Sequence, residues 1–142
     1  MKTSNTRPWR ELLARVRGLD RAHARVGVFE GEIARIATIH EYGAPEAGIP
    51  ERSWLRETLR RKHAELVALQ GKLTRLVIAG RLAPRAAASL LGAWAAGAIK
   101  ARITSEGDFA PLAPSTIAAK GSSRPLVDTG QLVGSITYVV VD

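Results

Sequence analysis

The sequence predicts an α+β fold in which a small antiparallel sheet packs with several helices, one of them long. Apolar residues make up 46% of the 142 residues, which is enough for one core in a single domain spanning residues 1–142. Residues 53–79 repeat leucine at close to a 3.5-residue period, the spacing of a helix–helix interface. Residues 24–29 and 135–141 are short runs with β-branched and aromatic side chains, which favour strands.

The N-terminal part of the chain predicts a helix, a strand and a second helix. Residues 8–18 form the first helix, with Pro8 suited to a first turn and Gly18 suited to a helix end. The strand 24–29 comes next, and residues 32–42 then form a short helix that ends at Gly43. The first helix is amphipathic, with apolar side chains at helical spacing: Trp9, Leu12, Leu13, Val16 and Leu19.

A loop and two further helices are predicted in the middle of the chain. Residues 43–52 contain two prolines and two glycines, which favour a loop. Ser53 can cap the long helix that follows, and Trp54 is expected to anchor the loop against the core. Residues 84–103 predict a largely buried helix, because apolar side chains cover most of its circumference.

The segment 105–127 is predicted to be an extended, irregular loop, because prolines, glycines and serines interrupt any regular pattern. Loops of this length are usually functional, so the segment is expected to become ordered on a partner. Its expected contacts are Phe109, Leu112, Lys120 and Arg124. Asp128 or Thr129 is expected to cap a one-turn helix before the last strand. A third strand is expected within the loop or from a neighbouring subunit, since a two-stranded sheet is marginally stable.

Charge and composition narrow the choice of partners. The chain carries a formal charge of +8, and nine of its basic residues fall within 52–85 beside two acidic ones. One basic helix face is therefore expected, which either binds nucleic acid or an acidic protein surface or is simply solvated. The chain lacks cysteine, a membrane-spanning stretch and an apolar signal core, so a soluble protein made in a cytoplasm, without membrane contact, is expected.

No enzyme signature is present in the sequence. His40-Glu41 begins a zinc-binding pattern, but the second histidine that the pattern requires is replaced by Ala44. Gly121-Ser122-Ser123 lacks the spacing of a phosphate-binding loop, and nothing indicates a base for a serine nucleophile. We therefore expect no catalytic residue, no cofactor and no metal site.

Two blocks of sequence occur in the same chain. Helix ends, loops and capped turns explain the residues of each block, but they do not explain why both blocks are present together. The first block is Ile39-His40-Glu41-Tyr42-Gly43 followed by Ile49-Pro50-Glu51-Arg52-Ser53-Trp54-Leu55-Arg56. The second block is Pro111-Leu112-Ala113-Pro114-Ser115-Thr116-Ile117, Lys120-Gly121-Ser122-Ser123-Arg124-Pro125-Leu126-Val127-Asp128-Thr129-Gly130-Gln131-Leu132 and Ser135-Ile136-Thr137. Together they resemble the phage virion morphogenesis family, which includes tail-completion and neck proteins of Mu-like and related tailed phages. The resemblance extends from about residue 24 to the C-terminus.

The resemblance implies a non-catalytic protein of the virion, located at the neck or the top of the tail. It implies a homo-oligomeric ring, expected to have six copies by analogy with the six-fold tail. The implied neighbours are the head–tail connector or stopper proteins and the tail terminator or tail tube, with non-specific contact to packaged DNA as a further option. The alternatives left open are a basic nucleic-acid-binding module and the related stopper and terminator roles. The expected structural and interaction positions are His40, Glu41, Tyr42, Gly43, Pro50, Arg52, Trp54, Phe109, Leu112, Lys120, Arg124, Asp128 and Thr129.

Overall fold

Several helices and a two-stranded sheet make up this computed structural model, which describes residues 6–106, 109 and 130–142. A 3-10 turn covers Pro45–Ala47, and a π-helical turn covers Arg102–Glu106. The predicted α+β class is confirmed. In chain order the regular elements are α1 (Arg7–Arg21), β1 (His23–Gly27), α2 (Gly31–Tyr42), α3 (Arg56–Arg61), α4 (His63–Ile78), α5 (Pro84–Ala101), α6 (Gln131–Ser135) and β2 (Thr137–Val141).

The sheet pairs β1 with β2 in antiparallel register, from His23 opposite Val141 to Gly27 opposite Thr137. α5 packs on both strands, and the hydroxyl groups of Ser89 in α5 and Tyr138 in β2 are hydrogen-bonded at 3.0 Å. Within the described residues the sheet has two strands. The third strand was expected from the segment 105–127, most of which is outside the described residues, or from a neighbouring subunit.

The long helix is present, but it differs in detail from the prediction over 53–79. It starts at Arg56 and divides at Lys62 into α3 and α4. The backbone of Lys62 lies at φ −93° and ψ 11°, while the N–H of Leu66 still donates to the carbonyl of Lys62 at 2.9 Å. The hydrogen-bonding register therefore continues across the division, which explains why the leucine period gives no sign of it.

Gly18 is a packing residue and not the end of the first helix, so that prediction was wrong. α1 continues to Arg21, and a Cβ at Gly18 would lie 2.6 Å from Cγ of Pro84 at the start of α5. Nearby, the Arg15 guanidinium donates to the carbonyl of Ile78 at 3.1 Å, at the C-terminal end of α4. This contact places a cation where the helix dipole of α4 is negative.

The core consists of two clusters that share α5. The larger cluster lies between α2, α5, the π-helical turn and α6, and its buried members are Ala37, Trp54, Ala96, Ile99, Ile103, Leu132 and Ile136. The smaller cluster joins Leu73 and Val77 of α4 to Ala87 of α5. Six of the eighteen residues of α5 are buried, whereas Leu90 is 50% exposed, so the helix is buried on one side and not around most of its circumference as predicted. No helix in the described ranges is long and apolar enough to cross a membrane.

Two glycines of α5 provide a first test of this packing. A Cβ at Gly92 would lie 2.5 Å from Cδ2 of Tyr138 and 3.0 Å from Cβ of Ala24, whereas a Cβ at Gly97 would meet nothing within 4 Å. We expect Gly92→Ala to lower the free energy of unfolding by about 1–3 kcal/mol through overpacking. Gly97→Ala is the matched control and should raise it by roughly 0.5–1 kcal/mol through helix propensity. Urea unfolding measures both, and equal effects of the two variants would contradict the packing of α5 on the sheet.

Candidate functional site

The two halves of the first block meet because the chain folds back directly after α2. Gly43 ends α2 with a φ of 73°, and a Cβ there would lie 2.8 Å from the backbone nitrogen of Glu51. Only glycine therefore suits this position, both for its positive φ and for the close approach of the loop. Backbone bonds between Ala44 and Ile49 close the loop, and the N–H of Arg52 donates to the carbonyl of His40 at 2.8 Å.

Glu41 lies at the centre of the folded block, and its side chain accepts four hydrogen bonds. The residue is 3% exposed. Ser53 Oγ donates to it at 2.8 Å, the backbone nitrogens of Leu55 and Arg56 at 2.9 and 3.1 Å, and Arg56 Nε at 2.8 Å. We call Glu41 and these three donor residues the Glu41 cluster. Because a negative charge is favourable at a helix N-terminus, the carboxylate caps α3 from a different helix.

Ser53 is not the N-cap of the helix as predicted, because that position is Leu55, but its side chain still accepts a hydrogen bond from the first turn of α3. Ser53 Oγ donates to the Glu41 carboxylate and accepts from the backbone N–H of Glu57 at 3.1 Å. The serine thus accepts from one backbone N–H group at the start of α3, and Glu41 accepts from two. The sequence indicated the local partner only, since Glu41 and Arg56 are 15 residues apart.

Arg56 links the buried cluster to the surface. Its Nε donates to Glu41, its Nη2 donates to Glu51 at 2.9 Å, and its guanidinium lies 4.4 Å from the centre of the Tyr42 ring. The hydrogen bond with Glu41 raises the pKa of Arg56, so the guanidinium stays charged. Tyr42 is 59% exposed. The first block therefore exposes Arg56 and Tyr42 to solvent, while the carboxylate of Glu41 is buried.

Trp54 is buried, as predicted. It is 3% exposed, and its indole nitrogen donates to the carbonyl of Ala37 in α2 at 2.9 Å. Thr58 Oγ1 donates to the carbonyl of Trp54 at 2.6 Å. These bonds fix the start of α3 to α2, so the loop between the two helices is anchored at both of its ends.

A basic cleft lies beside the Glu41 cluster, on the side of the π-helical turn. Arg102 is 4% exposed and donates to the carbonyl of Ser53 at 2.6 Å and to Thr58 Oγ1 at 3.1 Å. Its guanidinium lies 4.4 Å from the centre of the Phe109 ring. Arg52 is 6% exposed, and burial lowers its pKa. The cleft has a volume of about 520 Å³ and is lined by Glu51, Arg52, Ser53, Arg56, Glu57, Arg60, Arg61, Arg102 and Phe109.

Sequence reasoning missed Arg102 entirely. It lies at the end of the predicted helix 84–103, where a cation would ordinarily be a solvated helix terminus. Its partners Ser53 and Thr58 are 49 and 44 residues away along the chain. No local pattern could have indicated that contact.

The basic stretch 52–85 is largely engaged in ion pairs within the chain. Arg56 pairs with Glu41 and Glu51, and Lys62 pairs with Glu65. Other pairs join Arg60 and Arg61 to Glu57, and Arg85 to Asp142. This pairing favours the solvated-face interpretation for α3, and it leaves Lys72, Arg75 and Arg81 as exposed cations further along the stretch.

The remaining predicted positions are divided between the two blocks. His40 is half-buried and Pro50 is exposed, both beside the Glu41 cluster. Phe109 packs against the larger core cluster, so it is a core contact as well as a lining residue of the cleft. In the described ranges no group of three or more histidine, aspartate or glutamate side chains could hold a metal ion. The predicted positions Leu112, Lys120, Arg124, Asp128 and Thr129 lie outside the described residues.

Glu57 gives this region a pH dependence that can be measured. Hydrogen bonds from Arg60 and Arg61 lower the pKa of Glu57 from 4.5 to about 2. A carboxylate with a lowered pKa stabilises the fold above its unfolded pKa and loses that contribution as the pH falls through its folded pKa. We therefore expect the stability difference between wild type and Glu57→Gln to shrink as the pH falls from 4.5 to about 2. Urea unfolding across this range measures it, with exposed Glu46→Gln as control; a difference that does not change with pH would contradict the pairing.

Comparison of the chain with protein-family models, with curated proteins and with solved structures finds no match. The function is therefore inferred from the residues of the two blocks and from the geometry of the Glu41 cluster.

Proposed function

We propose that this chain is a structural protein of the neck of a long-tailed bacteriophage, which completes the tail and joins it to the head connector. The main support is the way in which the first block folds. Its two halves, 39–43 and 49–56, converge on the buried carboxylate of Glu41 and form one rigid corner. The block that resembles the phage virion morphogenesis family thus uses the polar side chains of Glu41, Ser53 and Arg56 to hold its two halves together, as expected of a non-catalytic assembly protein.

The proposed protein works in a closed ring of identical copies, with six expected from the symmetry of the tail. A two-stranded sheet is marginally stable alone, and each strand has one edge that is unpaired within the described residues. Several large apolar side chains are also exposed at separate places, among them Val67 at 50%, Leu90 at 50% and Val139 at 41%. Apolar surfaces at different places on one subunit suit heterologous contacts, the kind of contact from which a ring is built when the rotation between neighbours closes.

The position of the chain in the virion tests this function. In purified phage particles we expect the chain in a fixed copy number, with its density at the junction of head and tail. A phage that lacks the gene should produce full heads and separate tails that do not join. Normal plaques from such a phage, or the absence of the chain from purified virions, would contradict the proposal. Density within the connector or at the tail-tube end would instead assign the stopper or the terminator role.

A basic nucleic-acid-binding module is the second candidate, and the basic cleft is the observation that favours it. Five arginines and two glutamates line the cleft. Phosphate neutralisation by such groups gives a binding constant that falls steeply with salt. Tight, salt-sensitive binding of duplex DNA by the purified protein, combined with its absence from virions, would replace the neck proposal with this one.

A further inference from the structure

α1 is attached to the rest of the protein by one side of its C-terminal half. Arg15 donates to the carbonyl of Ile78, Gly18 lies against Pro84, and Leu19 packs against the smaller core cluster. At 100° per residue, Leu12, Arg15, Gly18 and Leu19 share this attached side of the helix.

The apolar residues of α1 other than Leu12 and Leu19 point, on average, in a different direction, and Leu13 among them is partly buried. Trp9, Leu13 and Val16 are spaced i, i+4 and i+7, and their mean direction is roughly 115° away from the attached side. Trp9 is 61% exposed and Val16 is 46% exposed, and α1 contains no fully buried residue. An apolar triad at this spacing is the pattern of a helix that lies in a groove of another protein.

The charge of α1 indicates the chemistry of that groove. The helix contains five arginines but only two acidic residues, and Arg10, Arg17 and Arg21 are all exposed. A surface that receives this helix must be acidic around an apolar centre, since like charges across an interface are strongly unfavourable. The same argument disfavours pairing of α1 with α1 of a second copy, because both helices would carry the same excess of arginine.

We propose that Trp9, Leu13 and Val16 form a docking face that inserts into an apolar, acid-rimmed groove on an adjacent protein of the neck. The inference depends on the proposed function for the identity of the partner. Trp9 is its expected anchor, since tryptophan is enriched among the residues that contribute most to binding. The exposed Arg10, Arg17 and Arg21 all lie along the edge of this face that is farther from the attached side, where they fix the orientation of the helix by pairing with the acidic rim.

The absence of cysteine in the chain allows a direct test by thiol labelling. Val16→Cys reports the docking face and leaves the Trp9 anchor intact. Ala14→Cys is the matched control, because Ala14 is an exposed residue on another side of the same helix. We expect a maleimide to label Val16→Cys at least about tenfold more slowly in intact virions than in the free protein, because an interface core excludes solvent. Ala14→Cys should be labelled at the same rate in both.

Each other outcome has a distinct meaning. Unchanged labelling of Val16→Cys in virions that contain the chain would overturn the docking face and leave the neck function intact. Equal protection of both cysteines would overturn the choice of face. Protection that disappears when the DNA is released from the particles would assign the face to DNA, and protection in the purified, concentrated protein would assign it to a second copy. Absence of the wild-type chain from virions would overturn the proposed function, and the inference would fall with it.

Discussion

Glu41→Ala is expected to lower the free energy of unfolding by about 2–5 kcal/mol, because each partly buried N–H group that loses its acceptor costs roughly 1–3 kcal/mol. The substitution leaves Arg56 without its buried partner and removes the acceptor for two backbone N–H groups at the start of α3. Ser53 also loses its acceptor. Because these groups would remain partly buried, water could replace the lost hydrogen bonds only after the loop opens.

Two further variants test whether the loss of stability comes from the buried position of Glu41 or from its negative charge. Glu51→Ala removes the other carboxylate that pairs with Arg56, and it should cost about 0–1 kcal/mol because that pair is exposed. Glu41→Gln keeps one acceptor but turns an amide NH₂ toward the donors of the cluster, so its effect should lie between those of the other two. Urea unfolding followed by circular dichroism measures all three. Similar stabilities for Glu41→Ala and Glu51→Ala would show that Glu41 does not hold the corner together.

Helices could be predicted where apolar residues recur along the sequence at a regular spacing. The leucine repeat located the long helix, and the apolar circumference of residues 84–103 predicted the helix that is observed as α5. Helix ends were less predictable, because Gly18 suits a helix end by propensity but is used for close packing against Pro84. The preference of glycine for helix ends therefore predicted the wrong end of α1, because packing against α5 decides which residue is placed there.

The candidate site was predictable only in part. The resemblance selected Glu41, Trp54 and Arg52 as positions of interest, and the burial predicted for Trp54 is confirmed, but aromatic character alone does not decide burial, because Trp9 is 61% exposed. The role of Glu41 depends on a loop that returns residues 53–56 to the end of α2, and no local rule specifies where a loop returns. The role of Arg102 could not be predicted for the same reason, because its partners are more than 40 residues away along the chain.

Trp54→Ala is expected to have an effect as large as that of Glu41→Ala, for a different physical reason. Trp54 is 3% exposed and packs in the larger core cluster, so its removal leaves a cavity that neighbours from four segments cannot easily fill. Phe or Trp to Ala changes at such positions cost about 3–5 kcal/mol. Trp54→Phe keeps most of the volume but loses the hydrogen bond to the carbonyl of Ala37, which still accepts within α2, so this change should cost about 0.5–1.5 kcal/mol.

Trp9→Ala is the matched control, because it removes the same side chain from a position that is 61% exposed. Its effect on unfolding of the free protein should be within about 0.5 kcal/mol of zero, as for most surface substitutions. Urea titration of the three variants beside wild type gives the comparison, with circular dichroism as the probe because each variant lacks one of the tryptophans. If Trp54→Ala were as stable as Trp9→Ala, Trp54 could not be the core anchor of the first block, and the rigid corner that supports the proposed neck function would lose its hydrophobic half. A large loss for Trp54→Ala together with normal stability for Trp9→Ala would assign the two tryptophans to different tasks, one to the fold and the other to a surface available for assembly.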